Sequence, residues 1–453
     1  MSYQRPIHHR FRWDIAKVAA AFLTVSGFLF AATAATTNSI SPGQIIPGSI
    51  TPLNTTNFYS FAGSSNDVVW LTLVNTNGPG NPTLWVYDPM GDEVSHSCGD
   101  GVRTYYAGLR LLQTGTYTVL ISDCDNLNRS YDYLVGFSKL AGGVNQREPG
   151  DGPEALVPGL GTSGHLAVAD LDIFTFTATS NDAVWLTLVN TNGPGNPTLW
   201  IYDPAGDEVS HSCGDGIRTY YAGLGLLKTG TYTVLISDCG NLNRSYDYII
   251  CMIKILGPNF PEPGEGQELL VPNETRGASI TVGDLDAFRF YAIAGDTVTL
   301  TLQKTSGSGL NPVMDLYFSD GSLLTTASAA SSARIRISCV SQTTGDYYVI
   351  IRDDGLNEAF GYSLTLIQYP VVPPSSGTTQ YLAIFQCTNH VVVRWETNSV
   401  GFVLESSERP CSTPSEPVNV WSPVNTVPQV IADHFYVDVG AVTNGNKFYR
   451  LRK

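Results

Sequence analysis

Apolar and polar residues alternate over many short segments of this chain. Apolar side chains occupy every second position from Val69 to Leu73, from Leu84 to Val86 and from Tyr117 to Ile121. A period of two places such side chains on one face of a β-strand. Glycines such as Gly91 and Gly115 separate the segments, where tight turns are expected. No long segment after residue 35 has helical periodicity, so the pattern predicts an all-β protein.

An internal repeat organises this pattern. The segment Asn66–Tyr133 matches Asn181–Tyr248 with seven differences in 68 positions. A third, diverged copy retains GDLDAFRFYAIAGD from Gly283 and TGDYYVIIRD from Thr344. Each copy spans about 100 residues with closely spaced turn signals, which is typical of an antiparallel β-sandwich.

Linkers rich in Pro, Gly and acidic residues separate the copies, at Arg147–Gly159 and Pro258–Glu274. A third linker, Tyr369–Thr379, precedes a different and smaller β-rich module. We therefore expect repeat 1 at 38–140, repeat 2 at 155–256, repeat 3 at 266–368 and a C-terminal module at 379–453.

The N-terminal segment resembles a secretory signal peptide. Arg5, Arg10, Arg12 and Lys17 precede an apolar run, Val18–Ala32. That run is short for a membrane span, which needs roughly 20 residues. We expect cleavage near residue 34, an exported or cell-surface protein and no membrane span in the mature chain, with an uncleaved anchor as the alternative.

The net charge of −15 argues against a nucleic-acid partner, because affinity for phosphates comes from clustered Lys and Arg.

The eight cysteines predict disulfides in an exported chain. Cys98 and Cys124 are separated by 26 positions, and Cys213 and Cys239 repeat that spacing inside the duplicated segment. Cys387 and Cys411 form a third candidate pair, which leaves Cys251 and Cys339 as expected free thiols. His96 and His211 lie near these cysteines, so a zinc site is a weaker alternative to the first two bridges.

Repeat 3, with GDLDAFRFYAIAGD, LYFSDG and TGDYYVIIRD, resembles the bacterial pre-peptidase C-terminal domain. YDPMGDE and YDPAGDE followed by TGTYTVLISD extend the resemblance to repeats 1 and 2. The resemblance implies three tandem jelly-roll-like β-sandwiches, related in fold to the collagen-binding domains of bacterial collagenases. The C-terminal module, with GFVLESS and FYRLRK, resembles the β-sandwich that ends many secreted bacterial proteins.

Such modules usually accompany a catalytic domain, and no catalytic motif is found here. The sequence contains neither an HExxH zinc motif nor a GxSxG nucleophile elbow. We therefore expect a protein that is not an enzyme and has no catalytic residues.

Paired aspartates suggest a calcium site in two repeats. Asp170 and Asp172 are two positions apart at the start of a strand in repeat 2, and Asp284 and Asp286 repeat this in repeat 3. Calcium needs six to eight oxygen ligands, which a linker carboxylate folding back could help to supply. The resemblance to collagen-binding domains, which carry calcium at this linker, favours the same interpretation. The alternative is that each aspartate accepts backbone N–H groups of a turn.

Tryptophans alternate with the predicted core residues and are expected to face outward. Copy 3 has Thr299 and Asp315 at two of these positions, and an unpaired aspartate is costly to bury. The alternative is that the tryptophans pack one repeat against the next. The predicted ligand-binding residues are Trp70, Trp85, Tyr87, Trp185, Trp200 and Tyr202.

The sequence thus predicts a non-catalytic binding protein whose duplicated modules engage an extracellular polysaccharide or protein. A structural or adhesive spacer without a specific ligand is the alternative. A secreted hydrolase would need an active site that no motif supplies.

Overall fold

The structure is a computed structural model that describes most of the chain after residue 36. The described residues are 37–52, 55–124, 129–141, 145–147, 154–239, 242–307, 311–329, 333–369, 382–387, 390–396, 401–407, 421–431, 434–441 and 447–452. The predicted signal peptide and Cys411 lie outside these ranges.

The described secondary structure is all-β, as predicted. Within the described residues, no helix is long and apolar enough to span a membrane.

Repeat 1 forms two facing sheets. Its strands are β1 (Asn38–Ser39), β2 (Gln44–Ile50), β3 (Thr56–Gly63), β4 (Val68–Asn77), β5 (Pro82–Tyr87), β6 (Glu93–Cys98), β7 (Arg103–Arg110), β8 (Gly115–Asp123) and β9 (Tyr131–Ala141). The front sheet has the order β1-β3-β8-β5-β6 and the back sheet the order β2-β9-β4-β7. Phe61, Leu71, Val86 and Tyr117 fill the core between them. Leu71, Val86 and Tyr117 belong to the alternating segments that predicted the strands.

Repeat 2 has the same arrangement, with an isolated parallel bridge between Ala155 and Thr175 at the place of β1. Its strands are β10 (Thr162–Leu166), β11 (Asp172–Ala178), β12 (Ala183–Asn192), β13 (Pro197–Tyr202), β14 (Glu208–Cys213), β15 (Arg218–Gly225), β16 (Gly230–Asp238) and β17 (Tyr246–Lys254). Its front sheet is β11-β16-β13-β14 and its back sheet is β10-β17-β12-β15.

Repeat 3 follows repeat 2 strand for strand. Its strands are β18 (Thr275–Ile280), β19 (Asp286–Ala292), β20 (Thr297–Ser306), β21 (Pro312–Tyr317), β22 (Leu323–Ser328), β23 (Arg334–Val340), β24 (Gly345–Asp353) and β25 (Phe360–Tyr369). Its front sheet is β19-β24-β21-β22 and its back sheet is β18-β25-β20-β23.

The C-terminal module contains two smaller sheets, β26-β27-β31-β30 and β29-β28-β32. Its strands are β26 (Leu382–Cys387), β27 (His390–Glu396), β28 (Val403–Ser407), β29 (Ser422–Pro423), β30 (Gln429–Ile431), β31 (His434–Ala441) and β32 (Phe448–Arg452). Val393, Trp395, Leu404 and Val437 form its buried core.

The three repeats stack face to face. The front sheet of repeat 2 packs on the back sheet of repeat 1, in a cluster that includes Val68, Val74, Ile173 and Leu235. The front sheet of repeat 3 packs on the back sheet of repeat 2 in the same way, with Ile253 and Ile350 among the buried residues. Both faces of these sheets are therefore apolar, which explains near-continuous apolar runs such as VVWLTLV in β4.

The C-terminal module contacts repeat 3 through a buried ion pair. The Arg394 guanidinium lies 3.6 Å from the Asp296 carboxylate, and both side chains are almost fully buried. In repeats 1 and 2 a lysine of the same repeat pairs with the equivalent aspartate, as Lys139 does with Asp67 at 2.7 Å. Repeat 3 has Gln368 at the lysine position, so the cation comes from the next module.

Candidate functional site

Trp70 is buried in the interface between repeats 1 and 2. It faces away from the core of its own sandwich, as predicted, but it is only 1% exposed because repeat 2 covers it. Its indole N–H donates to the Tyr202 hydroxyl at 3.0 Å. The expectation that Trp70 and Tyr202 are exposed is therefore wrong, and the packing alternative describes this pair.

The second interface repeats this contact. Trp185 is 4% exposed, and its indole N–H donates to the Tyr317 hydroxyl at 2.9 Å. Burial raises the pKa of the Tyr317 phenol to about 12, which keeps it neutral at physiological pH. Trp185 is thus also a packing residue, and its expected exposure is wrong.

The aspartate that replaces a tryptophan in repeat 3 is buried, so its expected exposure is also wrong. Asp315 is only 3% exposed. Its carboxylate accepts hydrogen bonds from Arg352 at 3.1 Å and from Thr326 at 2.6 Å. A paired carboxylate can be buried at much lower cost than an unpaired one, and the sequence alone did not show the pairing.

A pocket of about 450 Å³ opens at the edge of the interface between repeats 1 and 2. Repeat 1 contributes Trp70, Arg103 and Tyr105, and repeat 2 contributes Trp200 and His211 together with several smaller side chains. This volume lies within the range of small-ligand sites, which are typically concave and aromatic with a few polar groups. We call this cavity the inter-repeat pocket.

Aromatic stacking fixes the walls of the inter-repeat pocket. The Tyr105 ring stacks on Trp70 at a centroid distance of 5.8 Å, and the Trp200 ring stacks on His211 at 4.2 Å. Trp70 and Trp200 meet edge to face at 5.1 Å. These geometries are the favourable ones for aromatic pairs, so the walls are preformed.

Polar groups line the same space. The hydroxyls are those of Thr198, Ser212 and Ser237, with Ser237 accepting the Trp200 indole N–H at 3.2 Å. The Asp238 carboxylate is paired with Arg244 at 2.8 Å. Arg103 supplies the guanidinium of the lining. The pocket therefore combines ring faces with hydroxyls, one imidazole and one guanidinium.

The equivalent space between repeats 2 and 3 is occupied by side chains. The Arg352 guanidinium lies over the Trp185 ring, 5.0 Å from its centroid, and pairs with Asp315. Arg352 and Asp315 stand at the positions of Ser237 and Trp200 in repeat 2. A packed cation–π contact thus fills the space that forms the pocket between repeats 1 and 2.

Trp85 and Tyr87 occupy the outer face of the front sheet of repeat 1. Both are half-buried, and Trp85 stacks on His96 at 4.4 Å. No repeat precedes this sheet in the described chain. These two predicted residues, together with Trp200, retain solvent-accessible surface.

Both disulfides of the duplicated segment are present. Cys98 is bonded to Cys124 and Cys213 to Cys239, each with a Cα–Cα distance of 5.6 Å. The second bridge forms part of the pocket wall. Cys251 and Cys339 are free, with Cys251 fully buried between repeats 2 and 3. The predicted Cys387–Cys411 bond falls partly outside the described residues.

The paired aspartates are buried, and they accept hydrogen bonds from backbone N–H groups and tyrosine hydroxyls. Asp284 accepts the N–H groups of Thr281 and Leu285, and Asp286 accepts the Tyr362 hydroxyl at 2.6 Å. In repeat 2, Asp170 accepts the N–H of Leu171, and Asp172 accepts the Tyr248 hydroxyl. Among the described residues, no group of three or more His, Cys, Asp or Glu is arranged to hold a metal ion. Calcium binding by these aspartates remains a prediction.

Repeat 3 nevertheless concentrates buried acids at this point. Glu265 of the preceding linker is 7% exposed and lies beside Asp286. Burial, with repulsion from Glu262 and Glu265, raises the pKa of Asp284 to about 7. Burial and the neighbouring acids also raise the pKa of Asp286 well above its usual value. The linker carboxylate does fold back, as the sequence suggested.

Two residues of the pocket wall, Arg103 and His211, are not among the predicted ligand-binding residues. Arg103 enters the pocket from β7, and His211 from the edge strand β14. In the sequence, His211 stands out only as a neighbour of Cys213. The strand alternation that placed Trp200 outward could have placed His211 beside it, because β13 and β14 pair Trp200 directly with His211.

No protein-family model and no curated protein sequence matches this chain. Similar solved structures include the pre-peptidase C-terminal domain of collagenase from Bacillus anthracis, at 19% identity, 23% of this chain, 95% of that chain and a TM-score of 0.19. Another is the tandem CBM22 domain of Xyn10C from Paenibacillus barcinonensis, at 8% identity, 47% and 86% coverage and a TM-score of 0.17. The exported protein XepA matches at 12% identity, 47% and 88% coverage and a TM-score of 0.16. These TM-scores are too low to transfer a function.

Proposed function

We propose that this chain is an exported, non-catalytic binding protein that holds an extracellular polysaccharide in the inter-repeat pocket. The observation that carries the proposal is the pocket itself. It is walled by Trp70, Tyr105, Trp200 and His211 and closed on one side by the Cys213–Cys239 bridge.

The lining suits a sugar better than a purely apolar ligand. Aromatic rings can stack on the apolar C–H face of a sugar ring. Hydroxyl and guanidinium groups can then bond the hydroxyls at the sugar's edge. The Thr198, Ser212 and Arg103 side chains line the pocket together with the rings, which supports a ligand that has both ring faces and hydroxyls.

Rigidity favours the same function. The wall residues come from two repeats whose sheets share a buried apolar cluster, so binding need not order mobile loops. Preformed sites lose less entropy on binding. The Arg110 guanidinium adds a 2.7 Å contact to Asp207 across the same interface.

The test fills the pocket with the side chains that repeat 3 already uses. Asp315 and Arg352 form an ion pair at the interface between repeats 2 and 3. The double variant W200D/S237R introduces an aspartate and an arginine at the equivalent positions of the interface between repeats 1 and 2. We expect wild-type protein to be retained on at least one of cellulose, xylan, chitin or peptidoglycan, and the variant to be retained much more weakly while keeping its circular dichroism spectrum.

A matched pair of tyrosines supplies the control. Y105A removes a pocket wall, whereas Y220A removes its counterpart over Trp185, where Arg352 fills the space. Only Y105A should weaken retention. Equal effects of the two changes, or retention on gelatin with none on any polysaccharide, would contradict a polysaccharide site at this pocket.

The face-to-face stack specifically favours one second candidate, a rigid spacer that positions other modules. A spacer would show no retention on any of these materials.

A further inference from the structure

The repeat 2 wall of the inter-repeat pocket is reproduced on the open front sheet of repeat 1. Thr83, Trp85, His96, Ser97 and Ser122 are identical in type to the repeat 2 wall residues at the equivalent positions. The bridge Cys98–Cys124 likewise stands where Cys213–Cys239 borders the pocket.

The geometry is conserved as well as the residue types. The Trp85 and His96 rings stack at 4.4 Å and 19°, and the Trp200 and His211 rings at 4.2 Å and 21°. His96 Nδ1 lies 2.6 Å from Glu93, and His211 Nδ1 lies 2.6 Å from Glu208. This wall therefore forms with or without a repeat packed in front of it.

The sandwich fold itself does not require this wall. Repeat 3 keeps the same strand order but has Asp315 and Thr326 in place of the tryptophan and histidine. Its core remains fully packed. The tryptophan–histidine pair of repeat 1 is thus not needed to build its sheet.

We propose that Thr83, Trp85, His96, Ser97 and Ser122 form a second, open site for the polysaccharide that the inter-repeat pocket binds. The inference rests on the proposed function. The open site lacks the facing wall of Trp70, Arg103 and Tyr105, so it binds the same sugar chain with fewer contacts and lower affinity. The array then has two unequal sites and gains avidity on a polymer.

The experiment measures adsorption isotherms of the full-length mature chain on the polysaccharide from the panel above that retains it. Three variants are compared with wild type: W85A, W200D/S237R and the combination of both. We expect each of the first two to weaken retention by roughly tenfold or more, because a two-site binder loses its avidity with either site. W200D/S237R should keep the weaker residual binding, and the combination should keep none.

H96A provides an independent variant, since His96 is 54% exposed and can be truncated with little effect on folding. It should reproduce the W85A isotherm with an unchanged thermal midpoint. Isotherms of W85A and H96A that match wild type, with complete loss in W200D/S237R, would show a single site and overturn this inference while leaving the proposed function intact. Absence of wild-type retention on every polysaccharide would instead refute the proposed function.

Discussion

The indole N–H of Trp70 in repeat 1 donates a hydrogen bond to the hydroxyl of Tyr202 in repeat 2, and the two residues are 132 positions apart in the sequence. Trp185 and Tyr317 make the same contact one repeat later, with the same separation. The recurrence shows that the repeats are joined by a defined sheet-to-sheet interface and not only by their linkers.

Replacing Trp70 by Ala should destabilise the protein strongly. The change opens a cavity within the buried cluster of the 1–2 interface, and burial losses of this kind cost about 3–5 kcal/mol. Thermal unfolding should show a clear drop in the midpoint. W85A is the matched control, because Trp85 is half-buried on the open face, and it should change the midpoint little. Equal midpoints for the two variants would contradict the packing role of Trp70.

Thiol titration should find two reactive groups in the denatured, unreduced chain. Cys251 and Cys339 are free, and the expected Cys387–Cys411 bond removes the remaining pair. A count of four would show that Cys387 and Cys411 are reduced.

Replacing Cys98 and Cys124 by Ser should lower the free energy of unfolding by about 3 kcal/mol, because the bridge restricts the unfolded chain.

Acidification should stabilise repeat 3 in metal-free buffer. The pKa of Asp284 is raised to about 7 in the folded state, so the folded state binds a proton more tightly than the unfolded chain does. Stability therefore increases as the pH falls from about 8 to about 5 and is lost again as the pH rises.

Calorimetry in EDTA across this pH range measures the effect, and D284N should flatten the profile. A midpoint that falls steadily between pH 8 and pH 5 would contradict it. In a second scan, calcium replaces EDTA at pH 8. A higher unfolding midpoint would indicate that Asp284 and Asp286 bind calcium, whereas an unchanged midpoint would indicate that they only accept hydrogen bonds within the protein.

Breaking the Arg394–Asp296 pair should release the C-terminal module from repeat 3. R394M leaves the Asp296 carboxylate buried without this cation, and loss of one partner of a buried pair costs about 3–5 kcal/mol. Limited proteolysis should cut faster between residues 370 and 381 in R394M. A double-mutant cycle with D296N measures the coupling. Additive effects would show that the pair does not hold the module.

The duplicated copies differ partly where they meet different neighbours. Arg110, which pairs with Asp207 of repeat 2, corresponds to Gly225 in repeat 2. Val68 packs so closely on Gly206 that a Cβ there would approach within 2.6 Å, whereas Ala183 faces Gly321 with more room. Such differences could have indicated the interface, but the sequence does not show which surfaces come into contact.

The sequence by itself determined the strands, the repeats and two disulfides. Period-two alternation depends only on local geometry, so Leu71 and Val86 identified the core face without any knowledge of the fold. The cysteine spacing was repeated within nearly identical segments, which made the two pairs recognisable.

Tertiary structure decided which outward-facing aromatic residues are exposed. Alternation shows that Trp70 and Trp85 leave the core of their own sandwich, but it cannot show whether another sheet covers them. Burial of Trp70 and Asp315 depends on partners more than 30 positions away, Tyr202 and Arg352. The pocket at Trp200 exists only because two repeats stack with a gap at their edge, and that gap follows from packing and not from any local pattern.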